Sequence, residues 1–421
     1  MSEANKMKEM PVNKLMIQMG IPMILSMALQ AVYNIVDSAF VGNMKTGSES
    51  ALNALTLVFP VQMLMVAIGV GTGVGTNALL ARTLGQGNSK KAAKVAGNSL
   101  FLGVIIYAVC LLFGLFGVGA YISSQTVDPE VLSMGISYLR ICCVVSFGII
   151  FFSLFEKLLQ ATGRSLYSTI GQVVGAVVNI ILDPILIFGV GSFPGMGIKG
   201  AALATGIGQM ATVVLYVGIY IIRPISVKIS ICNLDFKSGI TKRLYAIGIP
   251  AILNMALPSL LISSLNAILA GFSESYVMVL GVYYKLQTFL YLTANGIVQG
   301  IRPLVGYNYG AGEYGRVHKI FNTALTFSAV IMVFGTGLCL LMPEHLIGMF
   351  TTNTQTIQIG ASALRIISIG FAVSSISVTA CGALEGLNMG TAPLCDPDHS
   401  GCICIEPFSW SCRCMACLLD H

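Results

Sequence analysis

Long apolar segments, repeated along the whole chain, are the feature that most restricts how this sequence can fold. A helix of about 20 apolar residues is long enough to cross the hydrocarbon core of a bilayer. Ten such segments are present, at 14–41, 54–81, 95–122, 134–161, 166–190, 198–222, 243–271, 277–303, 319–343 and 358–386. Only 10% of the 421 residues are charged, against roughly 25% in ordinary soluble domains. The sequence therefore predicts an all-α, polytopic membrane protein.

The distribution of basic residues predicts the orientation of the chain in the membrane. With the N-terminus inside, the inner segments hold fifteen lysines and arginines, whereas the outer loops hold only Lys45 and Lys199. Short loops rich in Lys and Arg stay on the cytoplasmic side. The first segment is too long for a signal-peptide core, and no small-residue cleavage site follows it. We therefore expect a multi-pass protein of the cell membrane with a cytoplasmic N-terminus.

The two halves of the sequence repeat each other at a nearly constant spacing. MGIPMILSMALQ at 19–30 corresponds to IGIPAILNMALP at 247–258, an offset of 228 residues. LGQGNSKKAAK at 84–94 corresponds to YGAGEYGRVHK at 309–319, an offset of 225. Because a repeat of six helices is even in number, both copies enter the membrane from the same side. The sequence predicts two parallel lobes related by an axis along the membrane normal, a plan with a central site that many transporters use.

The predicted domains are an N-terminal six-helix lobe at 1–224, a cytoplasmic connector at 225–242, a C-terminal lobe at 243–392 and a Cys-rich tail at 393–421. The repeat places copies of the fifth and sixth segments at about 391–447, yet the tail contains no apolar run near 20 residues. Its cysteines are compatible with a zinc site or with disulfides. We expect instead a frameshift or sequence error after about residue 392. The second lobe would then be incomplete, with four of its six helices, and the product would be truncated and inactive or poorly stable.

A carboxylate, Asp183, lies inside the fifth apolar segment, in NIILDPILIFG at 179–189. At about 1.5 Å per residue it lies roughly 10 Å below the outer surface, too deep for its short side chain to reach water. Asn179 is on the same helical face, and Pro184 leaves a backbone carbonyl without its usual donor. The alternative is a residue at the loop edge that reaches the interface. A carboxylate at this depth favours a functional site that faces the protein interior.

A second carboxylate, Asp37, lies at a similar depth in the first segment, roughly 6–8 Å from its outer end. Tyr138, Ala201 and Thr205 fall in the same outer layer of the membrane. Two carboxylates, an amide, a hydroxyl and free carbonyls form a set of oxygen ligands that suits Na⁺. Repulsion between close carboxylates would also raise one pKa and favour proton exchange. The residues leave the choice between Na⁺ and H⁺ open.

Four stretches of sequence resemble the multidrug and toxic compound extrusion (MATE) transporters. They are GIPMILSMALQAVYNIVDSAFVG at 20–42, GQGNSKKAAK at 85–94, NIILDPILIFG at 179–189 and GIKGAALATGIGQ at 197–209, within a resemblance that covers about 12–392. The resemblance implies two six-helix lobes and cation-coupled export of organic, often cationic, compounds. It also implies the site residues, which are Asp37, Asn179, Asp183 and Thr205 with the Ala201 carbonyl, Tyr138 near the site and Pro22 at a bend of the first helix. The repeat counterpart of Asp37 is Leu265, so we expect coupling in the first lobe only.

Glu156 and Gln160 share a helical face near the cytoplasmic end of the fourth segment. They are candidates to attract a cationic substrate in an inward-open state, and an interfacial role is equally compatible with their position. The expected partners are small organic cations and the lipid bilayer, with the chain acting as a monomer. We expect no nucleic acid, no enzymatic activity and no cofactor or metal beyond Na⁺ or H⁺ as the coupling ion.

Two further functions are compatible with an apolar chain of this length. A flippase for lipid-linked oligosaccharides would carry an anionic cargo, which favours a cavity rich in arginine. The carboxylates of the first lobe favour the exporter instead. An intramembrane prenyl transferase would need paired aspartate clusters to hold a metal-bound diphosphate, and the sequence contains none.

Overall fold

Helices are the only regular elements in the described part of this computed structural model, which covers residues 7–42, 48–189, 195–223, 225, 227, 239–270, 274–348 and 354–387. The predicted tail at 393–421 lies outside the described residues. In chain order the helices are α1 (Val12–Gly42), α2 (Ser48–Gly85), α3 (Ser89–Leu112), α4 (Val118–Ser123), α5 (Pro129–Val144), α6 (Phe147–Ala161), α7 (Ser165–Phe188), α8 (Ile198–Ile222), α9 (Ile240–Ala270), α10 (Glu274–Gly310), α11 (Tyr314–Leu341), α12 (Pro343–Gly348) and α13 (Thr354–Gly386). A π-helical turn, Phe113–Gly117, joins α3 to α4.

Seven helical segments of the described chain are long and apolar enough to cross a membrane, and the bent pair α5–α6 provides an eighth. The other two predicted segments, 243–271 and 277–303, correspond to α9 and α10. Large apolar side chains remain exposed on the helices, among them Val109, Phe116, Ile222 and Leu341. Such a surface suits lipid rather than water. The prediction of an all-α, multi-pass membrane protein is confirmed.

The fourth predicted segment, 134–161, is divided by a break that the apolar pattern does not reveal. Helices α5 and α6 meet at an angle of 42°. At the break, the hydroxyl of Ser146 donates a hydrogen bond to the carbonyl oxygen of Cys143 at 2.7 Å. A side-chain bond of this kind competes with the regular backbone bonds of a helix and accompanies bends.

Contacts between the two halves of the chain repeat with the same offsets as the sequence. A side chain at Gly71 of α2 would overlap Ile252 of α9, and one at Gly296 of α10 would overlap Ile24 of α1. Gly296 follows Gly71 by 225 residues, and Ile252 follows Ile24 by 228. One contact is therefore a copy of the other, as expected for parallel repeats related by a two-fold axis.

A second pair of repeated contacts lies at the end of the molecule that we predict to be cytoplasmic. A methyl group at Gly85 would overlap the carbonyl oxygen of Tyr307, and one at Gly310 would overlap that of Arg82. Gly310 follows Gly85 by 225 residues, and Tyr307 follows Arg82 by the same number, so the two contacts are copies of each other with the halves exchanged. Because backbone lies directly against backbone at each crossing, glycine is required for α2 and α10 to approach this closely. The halves are in tight contact at this end.

Candidate cation site

Helices α7 and α8 approach each other almost to backbone contact. A methyl group at Gly200 would overlap the carbonyl oxygen of Leu186, and one at Gly208 would lie 2.7 Å from the carbonyl oxygen of Gly175. Small residues at a helix–helix interface permit this approach in a membrane. The consequence is that polar side chains on the facing sides of α7 and α8 come within hydrogen-bonding distance of each other.

Asn179, Asp183 and Thr205 form the centre of the candidate site. The amide nitrogen of Asn179 donates to Asp183 Oδ1 at 3.3 Å and lies 3.4 Å from Thr205 Oγ1. Asp183 is fully buried and Asn179 is 3% exposed. The carbonyl oxygen of Asn179, Oδ1, has no hydrogen-bond donor among the described residues. A buried carboxylate beside an unused amide oxygen is an arrangement that can accept a small cation.

Ala201 and Tyr138 lie in one buried cluster contributed by several helices of the N-terminal half. Ala201 precedes Thr205 by one helical turn on α8, so both lie on the same face. Tyr138 is on α5 and is 3% exposed. The structure thus places the predicted residues of α5, α7 and α8 in the interior of the first half of the chain.

Asp37 lies on α1, and its side chain is outside the described residues. Helix α1 contacts α7 through Ser26, whose hydroxyl lies 2.9 Å from Thr169 Oγ1, and through Phe40, whose ring centroid lies 6.1 Å from that of Phe188. Position 37 lies between these two contacts along α1.

Pro22 lies within α1, which the structure describes as one continuous helix. The hydroxyl of Thr169 on α7 donates to the carbonyl oxygen of Pro22 at 2.9 Å and accepts from Ser26. Both hydroxyl side chains are buried. These two bonds attach the proline turn of α1 to the helix that carries the candidate site, and the bend at Pro22 stays a prediction.

Glu156 and Gln160 are buried near the end of α6 and both bind a lysine that the sequence analysis did not select. Lys157 Nζ lies 2.9 Å from Glu156 Oε1 and 3.1 Å from Gln160 Oε1. The same ammonium donates to Gln299 Oε1 of α10 at 2.7 Å. In this conformation the two predicted substrate-path residues are therefore occupied by a side chain of the protein itself.

A cavity of about 60 Å³ adjoins the candidate site inside the N-terminal half. This volume exceeds the roughly 10–15 Å³ that a cavity needs to hold a water molecule. Its lining combines apolar residues with uncharged polar ones. The lining residues are Ser26, Leu29, Gln30, Ile149, Phe152, Gln172, Gly175, Ala176, Asn179, Thr205, Gly208, Gln209 and Thr212. The cavity is large enough to hydrate a path to Asn179 and too small for a drug-sized molecule.

Sequence reasoning overlooked a group of buried charges within the apolar segments. Lys157, Arg302 and Glu385 are 2%, 7% and 6% exposed. The guanidinium of Arg302 donates to Glu385 Oε2 with Nε at 2.8 Å. A signal was present, because any charged residue inside a membrane span indicates a buried partner. Gln299 gave no such signal, since its role depends on which helix it faces.

The architecture is that of a membrane transporter. The chain is helical and multi-pass, its two halves repeat each other, one half holds a buried polar site, and the halves are in tight contact at one end. The MatE family model matches residues 22–185 and 250–395. The chain belongs to the MatE family, and the resemblance stated from the sequence motifs is confirmed.

Curated relatives and solved structures extend this assignment. Multidrug export protein MepA of Staphylococcus aureus (strain NCTC 8325 / PS 47) is 26% identical over 385 residues, which cover 90% of this chain and 83% of MepA. MepA of Staphylococcus saprophyticus is 24% identical over 381 residues, covering 89% of this chain and 82% of the relative.

The fold is shared with solved transporters. The crystal structure of MATE in complex with MaL6 matches with a TM-score of 0.84 at 23% identity, covering 93% of this chain and 86% of that one. A MOP superfamily transporter from Pyrococcus furiosus, described as having a binding pocket of reversed polarity, matches with a TM-score of 0.82 at 24% identity, covering 91% and 85%.

Proposed function

We propose that this protein is a cation-coupled antiporter that exports organic cations across the cell membrane. The observation that carries the proposal is the buried group on α7 and α8, where a carboxylate, an amide with an unused oxygen and a hydroxyl converge. In this proposal Na⁺ or H⁺ binds at Asp183, with Asn179 and Thr205 as neutral ligands. The name of the MepA relatives, multidrug export proteins, supports the export of small organic compounds.

The remaining site residues take supporting roles in the proposal. Asp37 supplies a second carboxylate from α1, the Ala201 carbonyl completes the oxygen ligands, and Tyr138 borders the site. Coupling takes place in the N-terminal lobe alone, because Leu265 stands at the repeat counterpart of Asp37. The small cavity beside Asn179, with its polar side chains, gives the ion a path to this residue.

The proposal also covers the arrangement of the chain in the membrane. The lobes are 1–224 and 243–392 with 225–242 as a cytoplasmic connector, and the N-terminus is cytoplasmic. The protein acts as a monomer in the cell membrane, and the coupling ion is the only cofactor. The positive-inside charge distribution supports this orientation.

The alternative function is a flippase for lipid-linked oligosaccharides. The buried carboxylate of Asp183 in the N-terminal lobe favours the exporter, because an anionic cargo would be expected to meet arginine or lysine side chains instead.

The test is transport of ethidium by purified protein in liposomes under separately imposed Na⁺ and proton gradients. Asp183→Asn and Asp37→Asn are each expected to abolish gradient-driven transport, because an amide cannot carry the charge that binds and releases the cation. Asn179→Ala and Thr205→Ala remove one neutral ligand each and are expected to weaken coupling less.

Asp128→Asn is the matched control. Asp128 is an acidic residue that caps the N-terminus of α5, and its carboxylate accepts from the backbone of Glu130 at 2.8 Å. Asparagine is an equally good cap, so this variant is expected to transport normally. Normal gradient-driven transport by Asp183→Asn at equal reconstitution would refute the assignment of the coupling site.

A further inference from the structure

Lys157 is a buried ammonium whose hydrogen-bonding capacity is fully used. It is 2% exposed, and its three acceptors are Glu156 at 2.9 Å, Gln160 at 3.1 Å and Gln299 at 2.7 Å. A lysine ammonium has three N–H donors. Because an unpaired charge in the membrane interior is costly, this complete set of partners is what allows the lysine to be there.

The three acceptors come from both halves of the molecule. Glu156 and Gln160 are on α6 in the first half, and Gln299 is on α10 in the second. Two methionines of α1 complete the surroundings: the Gln160 amide nitrogen lies 3.1 Å from Met23 Sδ, and that of Gln299 lies 3.4 Å from Met27 Sδ. Both amides are therefore oriented with their oxygens towards the ammonium.

This set of groups has the chemistry of a binding site for an organic ammonium ion. A carboxylate supplies the opposite charge, two amide oxygens accept hydrogen bonds, and thioether sulfurs provide a soft, adaptable wall. The occupant in this structure is the side chain of Lys157. The group lies between the two halves, near the end where α2 and α10 are in contact.

We propose that Glu156 and Gln160 form a second cation site, which binds the charged group of an organic cation, and that Lys157, held by Gln299, occupies this site as a tethered substitute while the cytoplasmic end is closed. The inference rests on the proposed export of organic cations. It identifies where the exported cation first binds, and it explains why a lysine lies inside a membrane span.

The exchange follows from the positions of the acceptors on opposite halves. Opening of the cytoplasmic end moves α10 away from α6, so Lys157 loses Gln299 and keeps only its two partners on α6. A cationic substrate entering from the cytoplasm then replaces the ammonium at Glu156. One cation is exchanged for another, so the carboxylate is never left buried without a counter-charge.

A neighbouring ion pair provides the matched control. Arg302 and Glu385 are buried like the Lys157 group and interact with Lys157 electrostatically. Glu385 is the repeat counterpart of Gln160, at the offset of 225. Arg302 and Glu385 both belong to the second half, so their hydrogen bonds do not join the two halves. Replacing both members, Arg302→Met with Glu385→Met, removes a buried ion pair of zero net charge and leaves the acceptors of Lys157 in place.

The experiment measures equilibrium binding of ethidium, a fluorescent organic monocation, to purified protein in nanodiscs without any ion gradient. Lys157→Gln is expected to bind ethidium at least about tenfold more tightly, because ethidium no longer competes with the Lys157 ammonium. A tenfold change corresponds to about one charge-assisted hydrogen bond. Adding Glu156→Gln to this variant is expected to return the affinity to the wild-type value or below. The double variant Arg302→Met with Glu385→Met is expected to leave the affinity unchanged.

A second variant avoids the removal of a charge. Gln299→Leu deletes only the acceptor from the second half, and is expected to tighten ethidium binding by a smaller factor because Lys157 is then held less firmly. It is also expected to speed labelling of a cysteine placed at Ala251, which is buried between α2 and α9. This measurement remains informative if Lys157→Gln does not fold.

Unchanged ethidium affinity in both Lys157→Gln and Gln299→Leu would overturn the proposal, as would an equal increase in the double variant Arg302→Met with Glu385→Met. Binding is measured without a gradient, so failure of coupled transport and failure of this site are separate results. A protein that transports ethidium normally while neither variant changes binding would leave the coupling site intact and exclude the second cation site.

Discussion

Removal of one partner from the buried Arg302–Glu385 pair is expected to destabilise the protein strongly, whereas removal of both is not. The two residues are 7% and 6% exposed, so neither charge is well hydrated once its partner is lost. Breaking such a pair costs about 3–5 kcal/mol, whereas replacing both members by apolar residues of similar volume is often close to neutral. We therefore expect Arg302→Met to cost about 3 kcal/mol or more. Arg302→Met with Glu385→Met is expected to cost less than about 1 kcal/mol.

The assay is chemical unfolding in detergent micelles, followed by labelling of cysteines with a thiol-reactive fluorophore. Cys110, Cys142, Cys143 and Cys339 are free and buried, so they become reactive only when the helices separate. The four proteins of the double-mutant cycle give a coupling free energy, which we expect to be about 5 kcal/mol in favour of the intact pair.

A surface ion pair on the same half of the molecule is the control for this cycle. Arg365 and Glu344 lie 3.8 Å apart with side chains 52% and 67% exposed, and exposed pairs contribute at most about 1 kcal/mol. Arg365→Met is therefore expected to change the stability little. The reasoning is refuted if Arg302→Met costs no more than Arg365→Met, or if the double variant is as unstable as the worse single variant.

Three further predictions concern the contacts between helices and the orientation of the chain. Gly85→Ala is expected to loosen the closed end, because the new methyl group overlaps the Tyr307 carbonyl. The readout is faster cysteine labelling there, and Gly315→Ala, which meets nothing within 4 Å, is the control. Thr169→Val removes both hydroxyl bonds to α1 and is expected to lower the unfolding free energy by about 1–2 kcal/mol, with Thr169→Ser restoring most of it. A cysteine at Ser89, in a cysteine-depleted variant, is expected to resist a membrane-impermeant thiol reagent applied to intact cells, and rapid labelling would contradict the cytoplasmic orientation.

Much of the candidate site could be read from the sequence because membrane depth is a one-dimensional property. The number of residues between a side chain and the end of its span gives its depth directly. The sequence therefore predicts that Asp183, Asn179 and Thr205 lie in one layer of the membrane. The structure adds that Asn179 bonds to Asp183 and lies beside Thr205 across the α7–α8 contact.

The sequence alone determined the membrane spans and the repeat. Both depend on local composition and spacing, since a span needs only enough consecutive apolar residues and a repeat needs only matching letters at a constant offset. Tertiary structure decided which residues of equal depth meet, because that depends on the rotation and approach of helices that are distant in sequence. Lys157 illustrates the difference: its sequence neighbour Glu156 is its ion-pair partner, yet the bond that joins the two halves goes to Gln299, 142 residues further along the chain. Only the packing of α6 against α10 brings these two side chains together, and a linear sequence contains no measure of that distance.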